Sequence, residues 1–187
     1  MRKVTYSMGM SLDGFIKGPD GTFDWGVPGE ETFAVSFDEL RDVGVHLMGR
    51  HLYETMLFWE GREEDAALDD TEREWARQWN PLPKVVFSRT LTDVQGAARL
   101  SQGGVAEEIE RLRAEPGDGD IAVGGAALAA EVAAAGLIDE YLVRVFPVLV
   151  GGGTPFFARD DRRVDLELLD QRTLDGRIAY LRYGVVR

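Results

Sequence analysis

The sequence predicts an α/β fold: a central, mostly parallel sheet flanked by helices, with antiparallel strands at the C-terminal end. Three observations predict it. Short apolar runs alternate with segments of helical period through most of the 187 residues. Two of those runs pass into a helical segment through glycine, at "MGRHLYE" (Met48–Glu54) and "VGGAAL" (Val123–Leu128). Near the end, Asp175-Gly176 separates two strand-like stretches, which is a hairpin signal. No repeat, low-complexity tract or linker divides the chain, so a single domain over residues 1–187 accommodates the pattern.

Lys3–Met10 reads as the first strand. Ser11–Gly29, with five glycines and two prolines, reads as a long structured loop. Glu30–Asp42 carries Phe33, Phe37 and Leu40 at helical spacing. Val45–Met48 is a short buried strand, and a helix follows over Leu52–Leu57. Asp69–Trp79 is a helix that Asp70 and Thr71 can cap and that Asn80-Pro81 ends. Lys84–Ser88 is a strand and Val105–Ala114 a helix. Ile121–Val123 is a strand, and Ala126–Ala135 is a helix closed by Gly136. Glu140–Val150 reads as one long strand. Val164–Leu169 and Ile178–Val186 flank the hairpin turn.

Bulk composition excludes several functions. The hydrophobic fraction of 44% and charged fraction of 29% are ordinary for a globular chain. No apolar run reaches the roughly 20 residues of a membrane-spanning helix, and the N-terminus lacks a signal-peptide core, so the expected location is the cytoplasm. With no cysteine, neither a disulfide nor a thiolate metal site is possible. Two histidines without H-E-x-x-H spacing predict no metal centre. A net charge of −12 argues against nucleic acid and anionic membranes, which demand a basic face.

Three exits at strand ends favour anions. Gly49, Arg50 and His51 open a helix, where backbone amides and a guanidinium attract negative charge. Ser88, Arg89 and Thr90 in "FSRTL" form a hydroxyl–guanidinium–hydroxyl trio suited to a phosphate monoester such as the 2′-phosphate of NADPH. Gly124 and Gly125 leave two readings open: a tight turn, or clearance for a pyrophosphate under the dipole of the helix that follows. The chain lacks GxGxxG after its first strand and GxxxxGK[ST] anywhere, so the common Rossmann and P-loop readings fail.

"SLDGFI" (Ser11–Ile16), "GRHLYE" (Gly49–Glu54), "FSRTL", "GGAAL" and "GLIDEYLVRVFPVLVGGGTPFF" (Gly136–Phe157) together resemble the dihydrofolate reductase superfamily. The branch they resemble holds the reductase domain of the riboflavin-biosynthesis deaminase-reductase and its stand-alone relatives. The resemblance implies a three-layer α/β/α fold with NADPH bound across the carboxyl ends of the strands. It also implies hydride transfer to a pteridine- or aminopyrimidine-like molecule, of the 5-amino-6-(5-phosphoribosylamino)uracil reductase type. Carried over by position, it puts the 2′-phosphate near Arg50, Ser88 and Arg89, and the pyrophosphate near Gly49, Gly125, Ala126 and Ala127. Thr90, His51, Gly124 and Leu128 flank those contacts. Met10, Ser11, Ile16 and Trp25 fall beside the nicotinamide, and Asp13–Thr22 resembles the mobile lid over it.

Two carboxylates are candidates for catalysis under the same resemblance. Glu30, with Glu31 beside it, stands where the superfamily holds the substrate ring with an acid; a first-turn acid also simply complements the helix dipole. Asp13 adjoins the nicotinamide position, and equally reads as an Asp-Gly turn. His46, Trp59, Trp75 and Trp79 read as packing residues. Two departures stand out: Val123 replaces the glutamate common before the paired glycines in this branch, and the zinc-deaminase motifs are missing. The expected function is an NADPH-dependent reductase of a small molecule. The rival is a nucleotide-binding or interaction module of the same fold with little catalysis. The apolar run "YLVRVFPVLV" and the C-terminal hairpin leave sheet edges that a homodimer would cover.

Overall fold

The computed structural model describes residues 1–157 and 161–187. Its centre is an eight-stranded sheet built from β1 (Val4–Ser11), β3 (Val43–Gly49), β4 (Lys84–Phe87), β5 (Ala98–Leu100), β6 (Asp120–Gly124), β7 (Glu140–Phe146), β9 (Leu166–Leu174) and β10 (Ile178–Val185). The spatial order is β5-β4-β3-β6-β1-β7-β10-β9. The first six strands in that order are mutually parallel; β10 and β9 run antiparallel at one edge. A second, two-stranded ribbon pairs β2 (Phe15–Lys17) with β8 (Thr154–Pro155). The helices are α1 (Glu30–Arg41), α2 (Arg50–Met56), α3 (Asp70–Trp79), α4 (Val105–Ala114) and α5 (Ala126–Ala134).

The period of two along each strand sorts the side chains into layers. Val4 and Tyr6 of β1, Val45 and Leu47 of β3, Ile121 and Val123 of β6, and Tyr141 and Val143 of β7 share the main core with Ile109 of α4 and Val132 of α5. The opposite face lies under α1 and α3 and is built differently. Toward β10 it holds Leu142, Phe146, Ile178 and Tyr180 with Val35 of α1. Toward β4 it holds Met48, Val86, Tyr53, Trp79 and Leu40. Between those two clusters, the central strands β1 and β6 present only Thr5, Ser7, Ala122 and Gly124. Those short side chains cannot fill the space beneath α1, and a cavity remains there.

Several boundaries differ from the sequence expectation for identifiable reasons. The Ser11–Gly29 loop contains β2 and a 3₁₀ turn over Asp24–Gly26. The partner of β2 lies some 140 residues away, beyond the reach of local periodicity. Asp69, not Asp70 or Thr71, caps α3: its carboxylate accepts from the Glu72 amide at 2.8 Å while the Glu72 side chain accepts from the Asp69 amide at 2.9 Å. β7 stops at Phe146 because Pro147 cannot donate to a ladder. α2 begins at Arg50, so Arg50 and His51 sit in its first turn. β5, three half-buried residues, offers too little pattern to be read in advance. The hairpin turn is confirmed, with φ of +51° at Asp175 and +65° at Gly176.

Candidate functional site

The parallel registers bring the strand exits together. Gly49 pairs with Phe87, Met48 with Gly124, and Ser11 with Phe146, so β1, β3, β4, β6 and β7 all end at one edge of the sheet. Gly49, Ser88 and Gly125 therefore lie on the same side of the molecule.

At that edge the first two exits touch. Arg50 Nη1 donates to Thr90 Oγ1 at 3.0 Å, and Ser88 Oγ accepts from the amides of Thr90 and Leu91 at 3.2 and 3.0 Å. The Arg50 Nε lies 3.4 Å from Glu54 one turn along α2. Arg89 and His51 are exposed beside this cluster. A Cβ added at Gly49 would meet no atom within 4 Å, so the backbone at the β3 exit faces open space.

The two glycines of "VGGAAL" have separate causes. Gly124 is imposed by packing: a Cβ there would overlap Leu52 Cδ2 and lie 2.5 Å from His46 Cε1. Gly125 is imposed by backbone, with φ of +88°, and it opens α5 with no side-chain cap and no acidic residue in the first turn. Ala127 is exposed beside it, Ala126 is buried, and the Leu128 side chain points into the main core.

The cavity under α1 has a volume of about 370 Å³. One end is aromatic and apolar: Trp75 and Trp79 stack at 6.1 Å with an 11° interplanar angle, near Leu52, Met56 and His46. His46, read as a packing residue from sequence, packs against Trp79, edge-on at 5.2 Å, and also forms part of this wall. Burial, with Lys84 nearby, lowers its pKa to about 4, so the ring is neutral near pH 7. The other end is polar. Arg144 Nη2 pairs with Glu39 Oε2 at 2.5 Å and Arg144 Nη1 donates to Ser7 Oγ at 3.0 Å. Ser7 in turn donates to Glu39 at 2.8 Å. Arg144 is only 8% exposed and its Nε has no hydrogen-bond partner. Tyr180 completes this end; burial and the Glu39 charge push its pKa up.

A smaller hollow of about 190 Å³ adjoins it, lined by Gly9, Ile16, Trp25, Thr32 and Phe146, and sharing Ser36 and Arg144 with the larger cavity. Trp25 stands edge-on to Phe146 at 5.5 Å. Ile16 and Trp25 thus line one hollow, and Met10 packs against the main core.

The two carboxylates read as catalytic candidates sit elsewhere. Glu30 is exposed on the first turn of α1 and lines neither cavity. The acid serving that helix end is Asp175 of the distant hairpin, which accepts from the amides of Gly29, Glu31 and Thr32. Asp13 is exposed and spans a turn: it accepts from Gly151 N at 2.7 Å and Val150 N at 3.2 Å. The Ser11 hydroxyl, then those amides, hold the Asp13 carboxyl below the usual range. Ser11 itself is fully buried, its Oγ accepting from Phe15 N at 3.0 Å, so this hydroxyl braces the loop. The Asp13–Thr22 segment is likewise tied down through β2–β8 and through Phe156 N, which donates to Gly14 O at 2.9 Å. Glu39 and Arg144 were the pair missed. The available signal was Arg144 inside the apolar run "YLVRVF"; Glu39, in the charged stretch "FDELR", carried none.

A three-layer sheet of this order, with open strand exits and a cavity under the first helix, defines a dihydrofolate-reductase-like α/β protein. The chain belongs to the family of the RibD C-terminal domain, whose model matches residues 2–180. YyaP of Bacillus subtilis (strain 168) is 29% identical over 182 residues, covering 97% of this chain and 94% of that one. The solved structures that share the fold include two reductases. One is the diaminohydroxyphosphoribosylaminopyrimidine deaminase/5-amino-6-(5-phosphoribosylamino)uracil reductase of Thermotoga maritima: TM-score 0.66, 13% identity, 99% of this chain against 57% of that chain. The other is the dihydrofolate reductase of Enterococcus faecalis complexed with NADP(H) and RAB-propyl: TM-score 0.59, 16% identity, 99% and 97% covered. No helix among the described residues is long and apolar enough to cross a membrane, and no group of three or more His, Cys, Asp and Glu side chains among them could hold a metal ion.

Proposed function

We propose that this protein is an NADPH-dependent reductase of a pteridine- or aminopyrimidine-like small molecule. The observation that carries the reading is the convergence of the β3, β4 and β6 exits at one edge, with Arg50, Thr90 and Ser88 in hydrogen-bond contact there. The donor set fits a phosphorylated dinucleotide. Arg50, Arg89 and the two hydroxyls suit a phosphate monoester, and the open backbone at Gly49 and Gly125 suits a pyrophosphate approaching the amides of the α5 start. When bound, NADPH supplies the hydride.

This chain's own residues then have three tasks. The exit cluster binds and discriminates. Ile16 and Trp25, with Phe146 behind them, give the smaller hollow a dry wall that excludes water from the reacting edge. The cavity under α1 orients the acceptor through stacking at Trp75–Trp79 and polar contacts at Glu39 and Arg144. Hydride transfer asks of a protein mainly position and dryness, which is what these walls offer. We also propose a homodimer joined through the β9 edge, where Leu166 and Leu168 are exposed; light scattering that returns only monomer removes this part.

The test is thermal shift with NADPH and NADH. At 100 times its dissociation constant a ligand stabilises by about 2.7 kcal/mol. The expected result is a larger shift with NADPH, reduced to the NADH level in Arg50→Ala and Arg89→Ala. Equal shifts with both dinucleotides would sink the phosphate assignment. A strong NADPH shift with no oxidation over a pterin and pyrimidine panel would favour a binding module.

A further inference from the structure

Charge in the cavity under α1 bears on which acceptor it takes. Three arginines line it, and each already has a carboxylate partner: Arg144 with Glu39, Arg172 with Asp170 and Arg182 with Glu140, at 2.5 to 2.7 Å. Four carboxylates line the same space: Asp38, Glu39, Asp42 and Asp120. Burial raises the pKa of Asp120, which marks the low polarity around it. An anion entering here would face more negative than positive charge, with every lining guanidinium already ion-paired. A phosphate monoester carries about −1.5 to −2 at pH 7. Phosphate sites gather several unsatisfied guanidinium, lysine or amide donors at the ligand; here Arg144 Nε is the one buried guanidinium nitrogen left unpartnered among the described lining residues, and that lining has no lysine.

A neutral ring with a polar edge fits instead. The Arg144–Glu39–Ser7 cluster is bound to itself on one side. It keeps the unpartnered Arg144 Nε as a buried donor beside the Glu39 carboxylate, an acceptor. A donor next to an acceptor matches an edge with a carbonyl next to an N–H. The stacked Trp75–Trp79 wall supplies a flat apolar surface at the far end. Resting on the reductase reading above, we infer that the acceptor is an uncharged heterocycle with a lactam or ureide edge. It carries no phosphate, in contrast to the phosphoribosyl compound named for the Thermotoga maritima enzyme. Arg144 and Glu39 read that edge and determine specificity.

The experiment is isothermal titration of the purified full chain with a matched pair of probes, 6-hydroxymethylpterin and its phosphate monoester, with quenching of tryptophan emission as a second readout. The neutral pterin is expected to bind at least tenfold more tightly than the ester. Glu39→Gln is expected to narrow that gap, because it removes the nearest repelling charge while keeping a hydrogen-bonding side chain. Ala122→Leu fills the cavity floor, and is expected to abolish binding of both probes while leaving the NADPH thermal shift in place. The inference is overturned if the ester binds as tightly as the alcohol, if neither probe binds, or if Ala122→Leu binds the pterin like the parent. The parent's own comparison of the two probes decides the question even if a variant does not fold. The readouts also separate the two readings. Selective pterin binding with no NADPH shift would leave the cavity assignment standing and defeat the reductase. An NADPH shift with indifferent probe binding would do the reverse.

Discussion

Gly49→Ala separates what the β3 exit does for folding from what it does for a ligand. Gly49 has φ of −79° and ψ of 167°, a region open to alanine, and an added Cβ would meet nothing within 4 Å. A glycine replaced by alanine at a compatible site gains about 0.4–1 kcal/mol by restricting the unfolded chain. Alanine is a poorer helix N-cap than glycine, by about 0.5 kcal/mol, which offsets part of that gain. The net change in stability is therefore within about 0.5 kcal/mol of zero. The cofactor has no such tolerance. A methyl group standing where a pyrophosphate should touch the backbone is expected to raise the NADPH dissociation constant at least tenfold, about 1.4 kcal/mol. Urea denaturation measures the first quantity and fluorescence titration with NADPH the second. A variant as stable as the parent that also binds NADPH equally well would refute the placement of the cofactor at this exit. Gly124→Ala is the control of opposite sign: its Cβ collides with Leu52 and His46, so it should cost about 1–3 kcal/mol of stability through overpacking.

Two further outcomes follow from groups outside that exit. His46 titrates near 6.5 in an unfolded chain and at about 4 in the folded one, mainly through burial. The unfolded state therefore binds more protons between those values. The stability that His46 contributes is complete above pH 6.5 and is lost as pH falls toward 4, by up to about 3 kcal/mol. His46→Phe should flatten the fall of melting temperature across that window; an unchanged slope would show that the imidazole is not buried in its neutral form. Asp175→Ala removes the acceptor shared by three amides and the Thr32 hydroxyl at the start of α1, and should cost about 2 kcal/mol in urea denaturation. Asp175→Asn tolerates the same positive φ and should cost less, and equal losses would point to backbone strain in place of capping.

What could be read from the chain and what could not divide along the range of the interactions. α4 begins and ends where its spacing of Val105, Ile109 and Leu112 predicts, because helical periodicity is local. The exits at Gly49, Ser88 and Gly125 were legible for the same reason: each is a change of pattern within a few residues. Parallel registration, a matter of sheet order, was needed to bring them to one edge. The acid–base pair of the cavity was not legible. Glu39 and Arg144 are 105 positions apart and acquire meaning only once β1 and β7 pair and α1 lies across them. Glu30 illustrates the opposite error. An acid at a helix start carries a strong local signal, and here that position is exposed while Asp175, from 143 to 146 residues away, bonds to the amides at the start of the helix. The cavity itself was written in small residues, Thr5, Ser7, Ala122 and Gly124, which alone look like ordinary strand members.

The ribbon that joins β2 to β8 limits how this chain can be re-engineered. A side chain at Gly153 would overlap the carbonyl oxygen of Lys17, and Gly151, Gly152 and Gly153 all have positive φ. Asp13, in the turn before β2, meanwhile clasps the amides of Val150 and Gly151 ahead of β8. Exchanging the Asp13–Thr22 stretch for that of a relative, as one would to retune access to the cleft, cannot succeed as a single graft. The donor's counterpart of Val150–Phe156 has to travel with it, so the two segments form one transplantable unit despite the distance between them in the gene.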